Sequence, residues 1–220
     1  MCPRFVLFGT LLLCFTDLAS ADPITYAVTV DTSSVSGTAG SIDFDFNPGP
    51  LVTQAASLQI LGFSSDGTLA GSPARTGDVS GTLPGTLTFD NGTAFNDFFE
   101  DLTFGTTLSF DLSLYGPALS SPDGISTSGS AFAFSLFSDA AGTMPVLTMN
   151  TTHGFAFAAD VNLDGTSTVR EFSSQTTVVP ETSSVPEPSG LWSIFLLVGV
   201  TIACSRVRYA LKGGHPGKCL

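Results

Sequence analysis

The feature that most constrains this chain is a period of two. In "ITYAVTV" Ile24, Tyr26, Val28 and Val30 share one side, with Thr25, Ala27 and Thr29 on the other. "SIDFDF" alternates Ile42, Phe44 and Phe46 with Ser41, Asp43 and Asp45. "TLSFDLSLY" sets Leu108, Phe110, Leu112 and Leu114 against Thr107, Ser109, Asp111 and Ser113. "SAFAFSL" and "GFAFAADVNL" continue through Phe132, Phe134, Leu136, Phe155, Phe157, Ala159, Val161 and Leu163. Successive side chains of a strand point to opposite faces, so each run predicts a strand with one apolar and one wet face. Asp66-Gly67, Asn91-Gly92, Asp123-Gly124 and Asp164-Gly165 stand between such runs and accept the positive φ of tight hairpins. The expected fold class is all-β, an antiparallel β-sandwich or jelly roll. One segment competes: in "TAFNDFFEDL", residues 93–102, Phe95, Phe98 and Phe99 fall at helical spacing and predict a short helix.

Charge and cysteine placement divide the chain. Residues 22–185 hold 17 acidic side chains against Arg75 and Arg170, with no Lys and no Cys. Such an acidic body repels phosphate backbones, so nucleic acid is excluded as a partner. Cys2, Cys14, Cys204 and Cys219 lie in the two end segments, which leaves neither a disulfide framework nor a cysteine metal site in the middle.

Both ends read as processing signals. Arg4, the apolar run from Phe5 to Phe15, and Ala19-Ser20-Ala21 form the three parts of a secretory signal peptide, residues 1–21, cut after Ala21. The domain is then 22–178, and 179–189 is a stalk that has lost the alternation. Residues 190–205 form a 16-residue apolar run, about 24 Å as a helix against a bilayer core of about 30 Å. Arg206, Arg208 and Lys212 in the 206–220 tail extend it by snorkelling and predict a cytoplasmic C-terminus. Pro186 and Pro188 keep the approach to the span extended.

The order Val185-Pro186-Glu187-Pro188-Ser189, short apolar helix, Arg cluster resembles the PEP-CTERM sorting signal, the substrate tail of exosortases, which are membrane cysteine transpeptidases of exopolysaccharide-making Gram-negative bacteria. The resemblance implies that Pro186, Glu187 and Pro188 are the recognition motif and that Arg206 and Arg208 mark the cytoplasmic stop. It also implies an exosortase as partner, a transient single-pass intermediate in the inner membrane, and delivery to the cell surface or polysaccharide matrix. The tail "YALKGGHPGKCL" runs on past the Arg cluster, where such signals usually end. "ITYAVTVDTSSVSGTAG" and "FGTTLSFDLSL" are similar to a Phe-rich all-β ectodomain of PEP-CTERM proteins, a group that carries no activity to transfer.

Candidate sites in the domain are few. Asp160, Asn162, Asp164, Gly165 and Glu171 fit the spacing of an EF-hand calcium loop, but the flanks alternate like strands, so a hairpin turning at Asp164-Gly165 is expected. A surface calcium site on Asp160, Asn162 and Asp164 is the one cofactor considered; otherwise none is expected. Asp43 and Asp45 share a strand face roughly 7 Å apart, inside the range of inverting glycosidase carboxylates, yet they read as solvated. Asp97, Glu100 and Asp101 read the same way, and His153 as a lone exposed side chain. With no Cys nucleophile, Lys or phosphate loop in the domain, a non-enzyme is expected. A carbohydrate-binding or adhesion module that stays anchored is the alternative, although Tyr26 and Tyr115 are assigned to apolar faces and Trp192 to the membrane helix, which leaves no aromatic platform.

Overall fold

The computed structural model describes residues 22–181. Ala19, Ala21, Pro186, Glu187, Pro188, Arg206, Arg208, Lys212 and the expected span at 190–205 lie outside the described residues.

Among the described residues thirteen strands follow one another: β1 (Ile24–Asp31), β2 (Ala39–Pro48), β3 (Ser57–Ser65), β4 (Thr68–Leu69), β5 (Ala74–Thr76), β6 (Val79–Gly81), β7 (Leu87–Asp90), β8 (Asp97–Thr103), β9 (Thr107–Tyr115), β10 (Ser130–Phe137), β11 (Phe155–Val161), β12 (Ser167–Glu171) and β13 (Thr176–Pro180). Besides a 3-10 turn at Ser33–Val35, the described residues hold one short helix, α1 (Pro117–Ser120), which starts on a proline, whose missing N–H costs nothing in a first turn. One sheet has the order β13-β1-β9-β3-β7-β6, the other β12-β11-β10-β2-β8-β4, with β5 also on β8. All strand pairings are antiparallel.

The alternation explains the layering. Val28, Val30, Leu58, Ile60, Phe110 and Leu112 of the first sheet and Ile42, Phe44, Phe46, Phe98, Phe132 and Phe157 of the second belong to one buried cluster. Each such side chain contributes about 1.5–3 kcal/mol by leaving water. Phe44 sits at the centre, its ring 5.3 Å from Phe110 of the opposite sheet in an edge-on contact, and 5.0 Å from Phe134 of its own. Aromatic rings prefer such offset and edge arrangements, which fixes the facing of the two sheets.

Three expectations need correction. Residues 97–103 are a strand, not a helix: β8 pairs with β2 on one side and with β4 and β5 on the other. Phe98 and Leu102 go inward, while Phe95, which a helix would have buried beside them, is exposed. Two partners' worth of ladder hydrogen bonds outweigh a helical spacing of three rings. Second, only Asp164-Gly165 makes a hairpin, between β11 and β12, with Gly165 at φ 83°. Asp66-Gly67 and Asn91-Gly92 stand where the chain leaves one sheet for the other, and Asp123-Gly124 lies in the β9–β10 crossover. Asn91 bridges that crossing: its Oδ1 accepts from Ala56 N (3.0 Å) and its Nδ2 donates to Gln54 O and Ser130 Oγ (both 2.8 Å). Third, the domain does not stop at residue 178. β13 pairs with β1 as far as Tyr26 and Pro180, and Glu181 N donates to Thr25 O at 2.8 Å.

Candidate functional site

On the outer face of the second sheet, β2 presents Asp43 and Asp45, and β8 brings Asp97 directly opposite Asp45. Across β2 on the other side stand Ser135 and Ala133 of β10, both small. The three carboxylates offer oxygens that all lie within 4.8 Å of one another, and each side chain is only partly exposed. The Oδ1 atoms of Asp43 and Asp45 touch neither water nor a donor. Desolvation pushes the Asp43 carboxyl up to about 9, helped by its hydrogen bond with Asp97 and by the charges of Asp45 and Asp97. Asp45 rises to about 6 by desolvation and the charge of Asp97, against a hydrogen bond from Asn47. The two described arginines are engaged elsewhere: Arg75 lies 5.5 Å over the Phe98 ring, and Arg170 pairs with Asp160 at 2.8 Å. This arrangement can share protons between carboxyls, and once ionised it can coordinate a hard cation.

The two acids expected to be solvated are thus half-buried, and their oxygens are closer together than the roughly 6.5 Å that an inverting glycosidase requires. Asp97 joins them because residue 97 begins a strand. That could not be read while 93–102 counted as helix. Glu100 is also misplaced by a solvated reading: it is 1% exposed, points to the same side as Phe98 and Leu102, and accepts from Gly71 N at 2.9 Å. Its other oxygen is buried without a donor, and desolvation raises its pKa.

The EF-hand spacing is built as the expected hairpin. Asp160 holds Arg170 across the β11–β12 pair, Asn162 Nδ2 donates to Thr166 Oγ1 and Thr168 Oγ1 (both 2.9 Å), and Asp164 Oδ1 accepts from Thr166 N at 3.0 Å. Each of the three side chains thus has a partner within the hairpin itself. His153 is exposed, with its ring stacked 5.5 Å from Phe155.

Tyr26 is buried as expected, but Tyr115 is not on the apolar face. It shares the wet side of β9 with Ser113 and opens into a cleft of about 580 Å³ together with Pro23, Gln59, Pro117 and Ser120. Desolvation, then the charge of Asp90, raises its phenol pKa. An aromatic ring beside an amide and hydroxyls can both stack on a ligand and hydrogen-bond to it.

Together these observations define an all-β, antiparallel two-sheet domain with a half-buried acidic triplet on one outer face and a tyrosine cleft on the other sheet. No family model, no curated protein and no solved structure matches the chain.

Proposed function

We propose that the chain is an exported, non-enzymatic surface or matrix protein, sorted and cut by an exosortase at its C-terminal signal. The observation that carries this reading is the run Pro186-Glu187-Pro188, followed by the apolar segment 190–205 and then Arg206 and Arg208. The signal peptide 1–21 exports the chain, 190–205 holds it briefly in the inner membrane, and cleavage near the Pro-Glu-Pro motif frees it. The limits of the folded domain support the scheme. β1 begins three residues after Ala21, and among the described residues the last backbone bond to the sheet, from Glu181, precedes Pro186 by five, so removal of both ends spares every described strand. Replacing Pro186, Glu187 and Pro188 by alanine in the native host is expected to leave the chain uncut and in the membrane fraction. Unchanged mass and release would overturn the reading.

A carbohydrate-binding module is the second reading, favoured by the Tyr115 cleft. It predicts glycan binding by the whole chain that Tyr115→Ala abolishes, scored on a glycan array.

A further inference from the structure

Leu51, Val52, Ile125 and Leu163 are exposed by 64%, 64%, 76% and 49%, and all four crown one pole of the sandwich. The registers place them there. β2 ends at Pro48 opposite Ser130, where β10 begins, and Ser130 faces Val161, where β11 ends. The loops that follow or precede these points are 49–56, 116–129 and 162–166, and they carry the four side chains. Hydrogen bonds hold the first two together: Ser128 Oγ accepts from Leu51 N at 3.2 Å, and Val52 O accepts from Thr127 N and Ser128 N at 2.9 and 3.0 Å. Gly165, in the third loop, packs against Leu119 O and the Pro122 ring. Apolar side chains on braced loops do not fold away, and an apolar patch exposed in this manner marks a surface that meets another apolar phase.

The same pole is where the chain leaves the domain. β1 starts there with Ile24 opposite Leu114, and β13 ends there with Pro180 opposite Tyr26. Only residues 182–189 separate Glu181 from the apolar run at Gly190, a reach of about 28 Å when fully extended. We infer that this pole, through Leu51, Val52, Ile125 and Leu163, rests in the interfacial layer of a lipid bilayer while the chain is anchored. The inference rests on the reading above that residues 190–205 enter the membrane. Side chains of this kind seat in the headgroup and upper acyl region rather than crossing it.

The charges decide which lipid fits. Asp123 and Asp164 lie in the same loops, and each is held ionised below its ordinary range by donors: chiefly Ser126 and Ile125 N–H groups for Asp123, and the Thr166 hydroxyl and N–H for Asp164. Fixed anions in the same loops as the apolar side chains are repelled by an anionic surface and not by a zwitterionic one.

The test uses the full chain in phosphatidylcholine vesicles with brominated acyl chains, which quench tryptophan on contact. Trp192, the single tryptophan, lies in the apolar run and reports the anchor in the unmodified chain. In a Trp192→Phe background, Leu51→Trp and Ile125→Trp report the pole. Met149→Trp is the control: Met149 is 77% exposed in the 138–154 loop at the opposite pole. The expected result is strong quenching and a blue-shifted emission at 192, 51 and 125, with neither at 149. Adding phosphatidylglycerol should relieve the quenching at 51 and 125 and leave that at 192. Quenching at 192 but not at 51 or 125 overturns the pole contact and leaves the anchor standing, as does equal quenching at 51, 125 and 149. Absence of quenching at 192 overturns the anchor, and the pole contact with it.

Discussion

The two faces of β2 follow one alternation and yet sit in different chemistry. Inward, Ile42, Phe44 and Phe46 are fully buried, and Phe44 meets rings from both sheets. Outward, Asp43 and Asp45 are also largely withdrawn from water, beside a third carboxylate and without donors for one oxygen each. The inner face of β2 buries only apolar side chains; its outer face leaves a carboxylate oxygen of each Asp unmatched. A strand's polar side is therefore not the same thing as a solvated side, because neighbouring strands decide how far water reaches.

Several substitutions would break or sharpen that contrast. The largest effect is expected inside: Phe44→Ala removes the ring in contact with Phe98, Phe110, Phe132 and Phe134 and should cost about 3–5 kcal/mol in a denaturant melt. On the outer face the sign reverses. With Asp43 raised to about 9 and Asp45 to about 6, the folded state holds protons that the unfolded chain releases near pH 4. Stability should fall as pH rises from about 4 towards 9. Asp43→Asn should raise stability at pH 8, on the order of 1–3 kcal/mol, and match the parent near pH 4, as thermal melts across that range will show. A parent whose stability rose through this window would contradict the half-buried cluster.

Asp66 makes the opposite case with the same side chain. Its carboxylate accepts from Thr106 N, Thr106 Oγ1 and Thr107 N at 2.8, 2.6 and 2.9 Å, which lowers its pKa to about 2. Its contribution is present above about pH 4 and lost as pH falls through 2. Asp66→Asn should lower the melting temperature at pH 7 by less than Phe44→Ala does, and flatten the acid limb of the profile. The smallest change is expected for Arg170→Ala, which breaks an exposed pair with Asp160 worth about 0–1 kcal/mol by chemical denaturation.

Five strands were legible because their alternation is unbroken: β1, β2, β9, β10 and β11 occupy the runs expected of them. β3 was not, and its register explains why. A bulge between Leu61 and Ser64, with Gly62 at φ 59°, shifts the phase, so that Leu58 and Ile60 and then Phe63 all point inward. β8 was hidden by Phe95, whose spacing to Phe98 and Phe99 suggests a helix face, although the strand starts two residues after it. Of the acidic triplet, Asp43 and Asp45 could be paired from spacing alone. Asp97 could not, because its approach depends on a strand pairing some 50 residues away. Tyr115 follows the opposite lesson: counting by twos from Ser113 already places it on the wet side, and only its ring suggests otherwise.

The pairing of β13 with β1 sets the order in which this molecule can be completed. β1 lies between β9 and β13, so the opening segment of the domain waits for its closing one, about 150 residues later in synthesis. Contacts of such long separation form slowly, because the loop must close before the contact rewards it. A polypeptide completed N-terminus first would therefore keep one flank of β1 unpaired until residue 180 was in place.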